Sequence, residues 1–171
     1  MLYFVANGAM PTTAAQVAVT TGTAIKTLLQ MKLNANATNT AKIVEWGISF
    51  DGSAAATPIK VELLATGTVK ATITEFVAAD IINLDPNGAA VTDDNPFAFG
   101  AGGDESGYTA TAEGTITATR MMDVQFIAPT NQYVKQFPLG REPQFSPAEF
   151  VRIRVTAGAA VNAYCYMIIE V

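Results

Sequence analysis

The amino-acid sequence predicts an all-β domain, an antiparallel jelly-roll sandwich of about eight strands. Three observations lead there. Apolar and polar residues alternate with a period of two through most of the 171-residue chain, which is the pattern of strands with one face buried. Helical periodicity is nearly absent. Gly, Pro, Asn and Asp punctuate the alternating runs, so strands are joined by turns and longer loops, and a sandwich or barrel is the layered solution that remains. Among these the jelly roll is the commonest at this length. A chain of this size makes one domain and buries roughly 70% of the surface its unfolded form exposes, so packing can hold it together.

Residues 1–24 read as an extended N-terminal arm, in which Val17, Val19 and neighbouring Thr residues suggest an added strand. Residues 25–171 read as the sandwich. Its first strand runs from Ile25 to Leu33, with Ile25, Leu29, Met31 and Leu33 on one face and Lys26, Gln30 and Lys32 on the other. The clearest strand is Lys42 to Phe50, where Val44, Trp46, Ile48 and Phe50 share a face and Asp51-Gly52 supplies the turn. Ile59, Val61, Leu63 and Ala65 then oppose Lys60, Glu62 and Thr66. From 68 to 115 the pattern loosens into a loop-rich insertion. It holds a strand at Thr72 to Phe76, a short helical turn within Glu75 to Leu84, a turn at Asp85-Pro86-Asn87-Gly88 and an exposed Gly-rich loop at 100–105. Alternation resumes in Met122, Val124 and Phe126, in Gln132 to Leu139, and in Val151, Ile153 and Val155 against Arg152 and Arg154. The last strand, Ala163 to Val171, is apolar on both faces: Cys165, Met167 and Ile169 on one, Tyr164, Tyr166 and Ile168 on the other. A strand of that kind is either covered twice within its own chain or buried by another subunit.

Half of the residues are apolar and only 15% are charged, which leaves little polar material to cover the outside. Part of the exterior is therefore expected to be buried in an assembly. The net charge of −5 and the scatter of the ten basic residues argue against nucleic acid as a partner, since phosphate binding needs clustered Lys and Arg. No apolar run approaches the roughly twenty residues of a membrane span, and the start lacks the features of a secretory signal. A chain made in a cytoplasm, with no membrane partner, is the expectation. The single Cys165 excludes an intramolecular disulfide. Asn36-Ala37-Thr38 fits a glycosylation sequon by chance in a Thr-rich stretch.

Enzymatic chemistry finds no foothold. With no histidine anywhere, Ser-His-Asp and Cys-His catalysis and the commonest metal ligand are all missing. Cys165 lies among apolar residues without a basic neighbour to lower its pKa, so it reads as a buried structural thiol. Asp93, Asp94, Asp104 and Glu105 border the Gly-rich loop but lack the ligand spacing of a calcium loop. Gly100, Gly102 and Gly103 do not follow a phosphate-binding spacing. No catalytic residue, metal site or cofactor is expected. Tyr164 and Tyr166 are more informative, because aromatic residues are enriched in interface cores and a sandwich core accounts for only one face of that strand.

At Val44-Glu45-Trp46-Gly47-Ile48-Ser49-Phe50-Asp51-Gly52, Val61-Glu62-Leu63, Phe137-Pro138-Leu139-Gly140-Arg141-Glu142 and Ile153-Arg154-Val155-Thr156-Ala157, the chain resembles a group of small tailed-phage structural proteins. Those are similar to tumour-necrosis-factor-like jelly rolls. The resemblance runs from about Lys42 to the end, is weak through 68–115 and does not include the arm. It implies a homotrimer that decorates a phage head as a cement protein, binding the major capsid protein on the outer surface of the virion. In such trimers the C-terminal strand lies near the threefold axis, which implies Tyr164, Tyr166 and Ile168 as trimer-interface residues. Leu2, Tyr3, Phe4 and Val5, exposed if unpaired, would be the arm that reaches the capsid or a neighbour, with strand addition supplying their backbone partners. One alternative is a receptor-binding or fibre-tip jelly-roll module of a phage tail, with the loop at 93–107 facing the host. A lectin-like sandwich is the other, and it lacks the usual stacking platform, because the one Trp46 is expected in the core.

Overall fold

In the computed structural model, residues 1–38, 40–53, 56–92, 95–100, 103 and 105–171 are described. Thirteen strands form among them: β1 (Leu2–Ala6), β2 (Val19–Thr20), β3 (Ile25–Met31), β4 (Ala41–Asp51), β5 (Ile59–Ala65), β6 (Thr72–Glu75), β7 (Ile81–Asn83), β8 (Gly107–Ala112), β9 (Arg120–Ile127), β10 (Gln132–Gln136), β11 (Gln144–Phe145), β12 (Val151–Thr156) and β13 (Asn162–Glu170). The only helical element among the described residues is a 3₁₀ turn at Ala78–Asp80, and no helix there is long and apolar enough to cross a membrane.

The strands make two antiparallel sheets that pack as a β-sandwich. One has the order β10-β4-β13-β1-β7, with β11 joining β4 and β2 joining β13; the other has the order β6-β8-β3-β12-β5-β9. The pairings are nested along the chain. β1 pairs with β13, β3 with β12, β4 with β10, and β5 with β9. The ends of the chain consequently meet, and the Met1 ammonium donates to the Val171 carbonyl at 2.6 Å.

Alternation translates directly into the core wherever a strand is regular. Ile59, Val61 and Leu63 of β5, Val151, Ile153 and Val155 of β12, and Cys165, Met167 and Ile169 of β13 all point into one buried cluster with Trp46 and Leu29. Three predicted faces are altered by β-bulges, which insert one residue and so swap the faces beyond it. In β9 the register shifts opposite Leu63/Leu64, so Met122 packs on the core and Met121 joins Val124 and Phe126 outside. In β4 the register shifts opposite Ile168/Ile169, so Ile43 takes the inward place expected of Val44. In β3 the register shifts opposite Ile153/Arg154, and Ile25 ends exposed rather than beside Leu29.

The stretch 68–115 is more ordered than a loop-rich insertion. β6 and β8 extend the edge of the second sheet beside β3, β7 extends the first sheet beside β1, and the expected helical turn is the 3₁₀ turn between them. Chain on either side of β6 and β8 also covers the outer face of the second sheet. Arg152, fully buried, donates to the carbonyls of Val69 (2.5 Å) and Glu113 (3.0 Å) and to the Glu113 carboxylate (3.2 Å). Ala71 N–H donates to the buried Gln30 side chain at 2.9 Å.

On the same outer face Glu62 is buried between Lys60 (2.6 Å) and Arg154 (2.9 Å). Burial pushes its carboxyl up, but the hydrogen bonds and charges of Lys60 and Arg154 outweigh burial and hold it below the ordinary value of 4.5. A depressed carboxyl contributes stability that is fully present above its unfolded value and is lost as pH falls through its folded one. Glu62→Gln is therefore expected to lower the urea midpoint at neutral pH, and the gap to wild type should close below pH 4. An equal gap at both pH values would show that the pair contributes no pH-dependent stability.

Candidate functional site

β13 occupies the middle of the first sheet, between β4 and β1, with one apolar face in the core and the other on the outside of the sandwich. Cys165, Met167 and Ile169 fill the core, where burial pushes the Cys165 thiol well above its ordinary value and leaves it a packing group. Tyr164, Tyr166 and Ile168 stand on the opposite side, the outer face of the sheet, with Tyr164 exposed and the other two half-buried.

Register decides what joins them there. Phe4 lies opposite both Ile168 and Ile82, and Tyr166 lies opposite Gly47, itself opposite Val134. Directly opposed side chains share a face, so these residues and the exposed Leu2 and Leu84 form one apolar surface running across five strands. The Tyr166 ring stacks on Phe4 at 5.6 Å between centroids and lies flat over Gly47. A β-carbon at Gly47 would come within 2.6 Å of that ring, so the glycine is what lets the tyrosine lie down. Its phenol donates to Glu45 at 2.6 Å. Burial first, and then the Glu45 carboxylate, raises the Tyr166 pKa well above the usual phenol range and keeps it a neutral donor. The nearest cross-strand ion pair on this face, Lys42 with Glu170 at 3.1 Å, stands at its end.

The N-terminal residues differ from expectation. Leu2 to Ala6 is not a free arm: it pairs with β13 on one side, and its Tyr3–Val5 portion pairs with β7 on the other. Its backbone partners come from its own chain. Tyr3 and Val5 point into the core, Tyr3 edge-on to Phe97 at 5.3 Å, and neither can touch a partner. Leu2 and Phe4 face outward. Two sets of residues expected to act separately, the last strand and the arm, thus contribute to a single surface. The 93–107 loop lies partly outside the described residues, as do Asp93, Asp94, Asp104 and Gly102; among the described residues no cluster of three metal-ligating side chains forms.

A second apolar region escaped the sequence reading. β9 is the edge of the second sheet, and its Phe126 is 72% exposed beside Val124 and Met121. Alternation marks Val124 and Phe126 as sharing a face but does not say that the face is outward. Nearby in sequence, the turn Pro138–Arg141 is closed by Arg141 N–H on the Pro138 carbonyl at 2.9 Å, with Gly140 at a φ of +80°. It holds Leu139 97% exposed at its tip. Between β9 and β10, the Asp123 carboxylate accepts from Tyr133 (3.0 Å) and pairs with Lys135 (3.3 Å), tying the edges of the two sheets together. Burial, and then Asp123, pushes the Tyr133 phenol up to about 12.

Comparison with family models, with curated proteins and with solved structures finds no match to this chain.

Proposed function

We propose that the protein is a non-enzymatic jelly-roll subunit of a homotrimer that decorates and stabilises the head of a tailed phage by binding its major capsid protein on the outer surface of the virion. The observation that carries the self-association is the apolar outer face built from Leu2, Phe4, Ile82, Leu84, Tyr166 and Ile168. Leaving such a face in water is unfavourable by roughly 25 cal/mol per Å² of apolar surface, and a contiguous patch of this kind marks an interaction site.

Jelly-roll topology is supported by the nested pairing of β1 with β13, β3 with β12, β4 with β10 and β5 with β9, in which the chain folds as one long hairpin wrapped around the sandwich. A cyclic arrangement is supported by the presence of a second, separate apolar region on β9, at Met121, Val124 and Phe126. A ring uses two different patches per subunit, whereas a twofold dimer uses one. The phage head rests on the sequence motifs quoted above. Three identical surfaces on one trimer would engage three symmetry-related capsid subunits, so individually weak contacts combine through effective concentration.

Heads that lack the protein are expected to release their genomes at lower temperature or under milder osmotic shock than complete heads. Equal robustness would refute cementing. Labelling the protein in intact particles separates this reading from the fibre-tip one, since label at the tail would overturn it.

A further inference from the structure

The outer face of the first sheet changes character beyond Tyr166. The register there sets Tyr164 opposite Ser49 and Asn162 opposite Asp51, so all four side chains stand on the outer face. Directly opposed residues lie about 5 Å apart and successive outward residues about 7 Å, which makes a rectangle of one aromatic ring, one hydroxyl, one amide and one carboxylate. The segment from Gln16 to Ala18, between β1 and β2, stands beside it as a wall, and together they line a half-open cavity of about 240 Å³. Asn7 pins this corner: its amide donates to the Ala163 carbonyl at 3.0 Å and accepts from Cys165 N–H at 2.8 Å, so its own hydrogen bonds are spent on β13. Gln16 is different. Its side chain lines the cavity, but its Nε2 is packed inside the protein against Gly8 and has no surface open to a ligand.

The chemistry of the lining restricts what that ligand is. No Lys or Arg faces the cavity, so it is not built for phosphate or another anion, and a lone carboxylate does not hold a divalent cation. An exposed aromatic face flanked by hydroxyl, amide and carboxylate groups suits a ring that is apolar on its C–H face and carries hydroxyls around its edge. The volume lies below the roughly 300–1,000 Å³ of a pocket for a drug-sized molecule, which fits a single ring. We propose that this cavity binds one neutral monosaccharide unit of a glycan, with Tyr164 stacking on the sugar and Asp51, Asn162 and Ser49 meeting its hydroxyls. All of these groups come from one chain, so the site does not depend on the capsid reading or on a second copy.

The test uses the purified full-length chain, titrated separately with D-glucose, D-galactose, D-mannose and N-acetyl-D-glucosamine and followed by saturation-transfer NMR and calorimetry, with D-glucuronate as an anionic control. At least one neutral sugar is expected to bind saturably. Asp51→Ala and Asn162→Ala, both at exposed positions, should each weaken that binding about tenfold or more, because each removes a hydrogen bond to the ligand. Should either variant unfold on thermal melting, Tyr164→Ala, which removes the stacking ring at an exposed position, serves in its place. Absence of saturable binding by all four sugars, equal or tighter binding of glucuronate, or undiminished binding in folded variants would each overturn the proposal. Oligomeric state does not enter these readings, so failure here and failure of the trimer are told apart by sizing the same samples.

Discussion

Tyr166→Asp is expected to convert the proposed trimer into monomer. The substitution removes the ring that stacks on Phe4 and covers Gly47, and it sets a second carboxylate near Glu45, the partner of the lost phenol. In a closed interface that charge would be buried without a partner, at a cost of several kcal/mol per contact, more than enough to undo a standard association. Because the position lies on the outer face, away from the buried Met167 and Cys165, the fold itself should survive. Sedimentation and light scattering read the outcome, and circular dichroism checks the fold. Tyr166→Phe is the companion: it keeps the ring and loses only the hydrogen bond to Glu45, and it should stay assembled. An unchanged oligomer in the Asp variant would mean that this face is not the interface.

The second large effect is expected at Glu113. Its carboxylate accepts from the Thr27 hydroxyl at 2.6 Å and from the Thr27 N–H, and it is the charged partner of the fully buried Arg152. Burial lowers the pKa of that guanidinium, and Glu113 acts in the opposite direction. Glu113→Ala leaves a buried cation facing only carbonyl oxygens, and breaking a buried pair from one side typically costs about 3–5 kcal/mol. Urea denaturation of the single variant should show a loss of that order. The double variant Glu113→Leu with Arg152→Met should recover much of it, since replacing both charges with apolar groups removes the desolvation cost as well. A loss well under 1 kcal/mol in the single variant would show that water reaches Arg152 and that the covering segments do not seal it.

The regular strands were legible because their alternation is unbroken. Val61 and Leu63, Ile153 and Val155, and Met167 and Ile169 occupy the core positions that a period of two assigns them. The bulges were not, because one extra residue in β3, β4 or β9 leaves no compositional mark and shows only against the partner strand. β8, with the sequence Gly-Tyr-Thr-Ala-Thr-Ala, lacks the large apolar residues that announce a strand and is held in place by its neighbours β3 and β6. For the candidate surface, the doubly apolar β13 was readable as unusual. Which residues it meets was not, since Phe4 comes to Ile168 only through a pairing that joins opposite ends of the chain. The corner at Asp51 and Asn162 was equally hidden, because each residue alone is an ordinary polar strand end and only the register makes them neighbours.

That pairing between the first strand and the last sets the order in which the molecule can be completed. During synthesis Leu2 to Ala6 emerges early, while β13, which supplies its longest run of hydrogen bonds, is made only after the intervening chain. Until then an apolar strand has no partner on that edge, and it must be kept from pairing with other nascent chains. Long-range closures of this kind fold slowly, so the interval before β13 reaches β1 is when the protein is most exposed to aggregation.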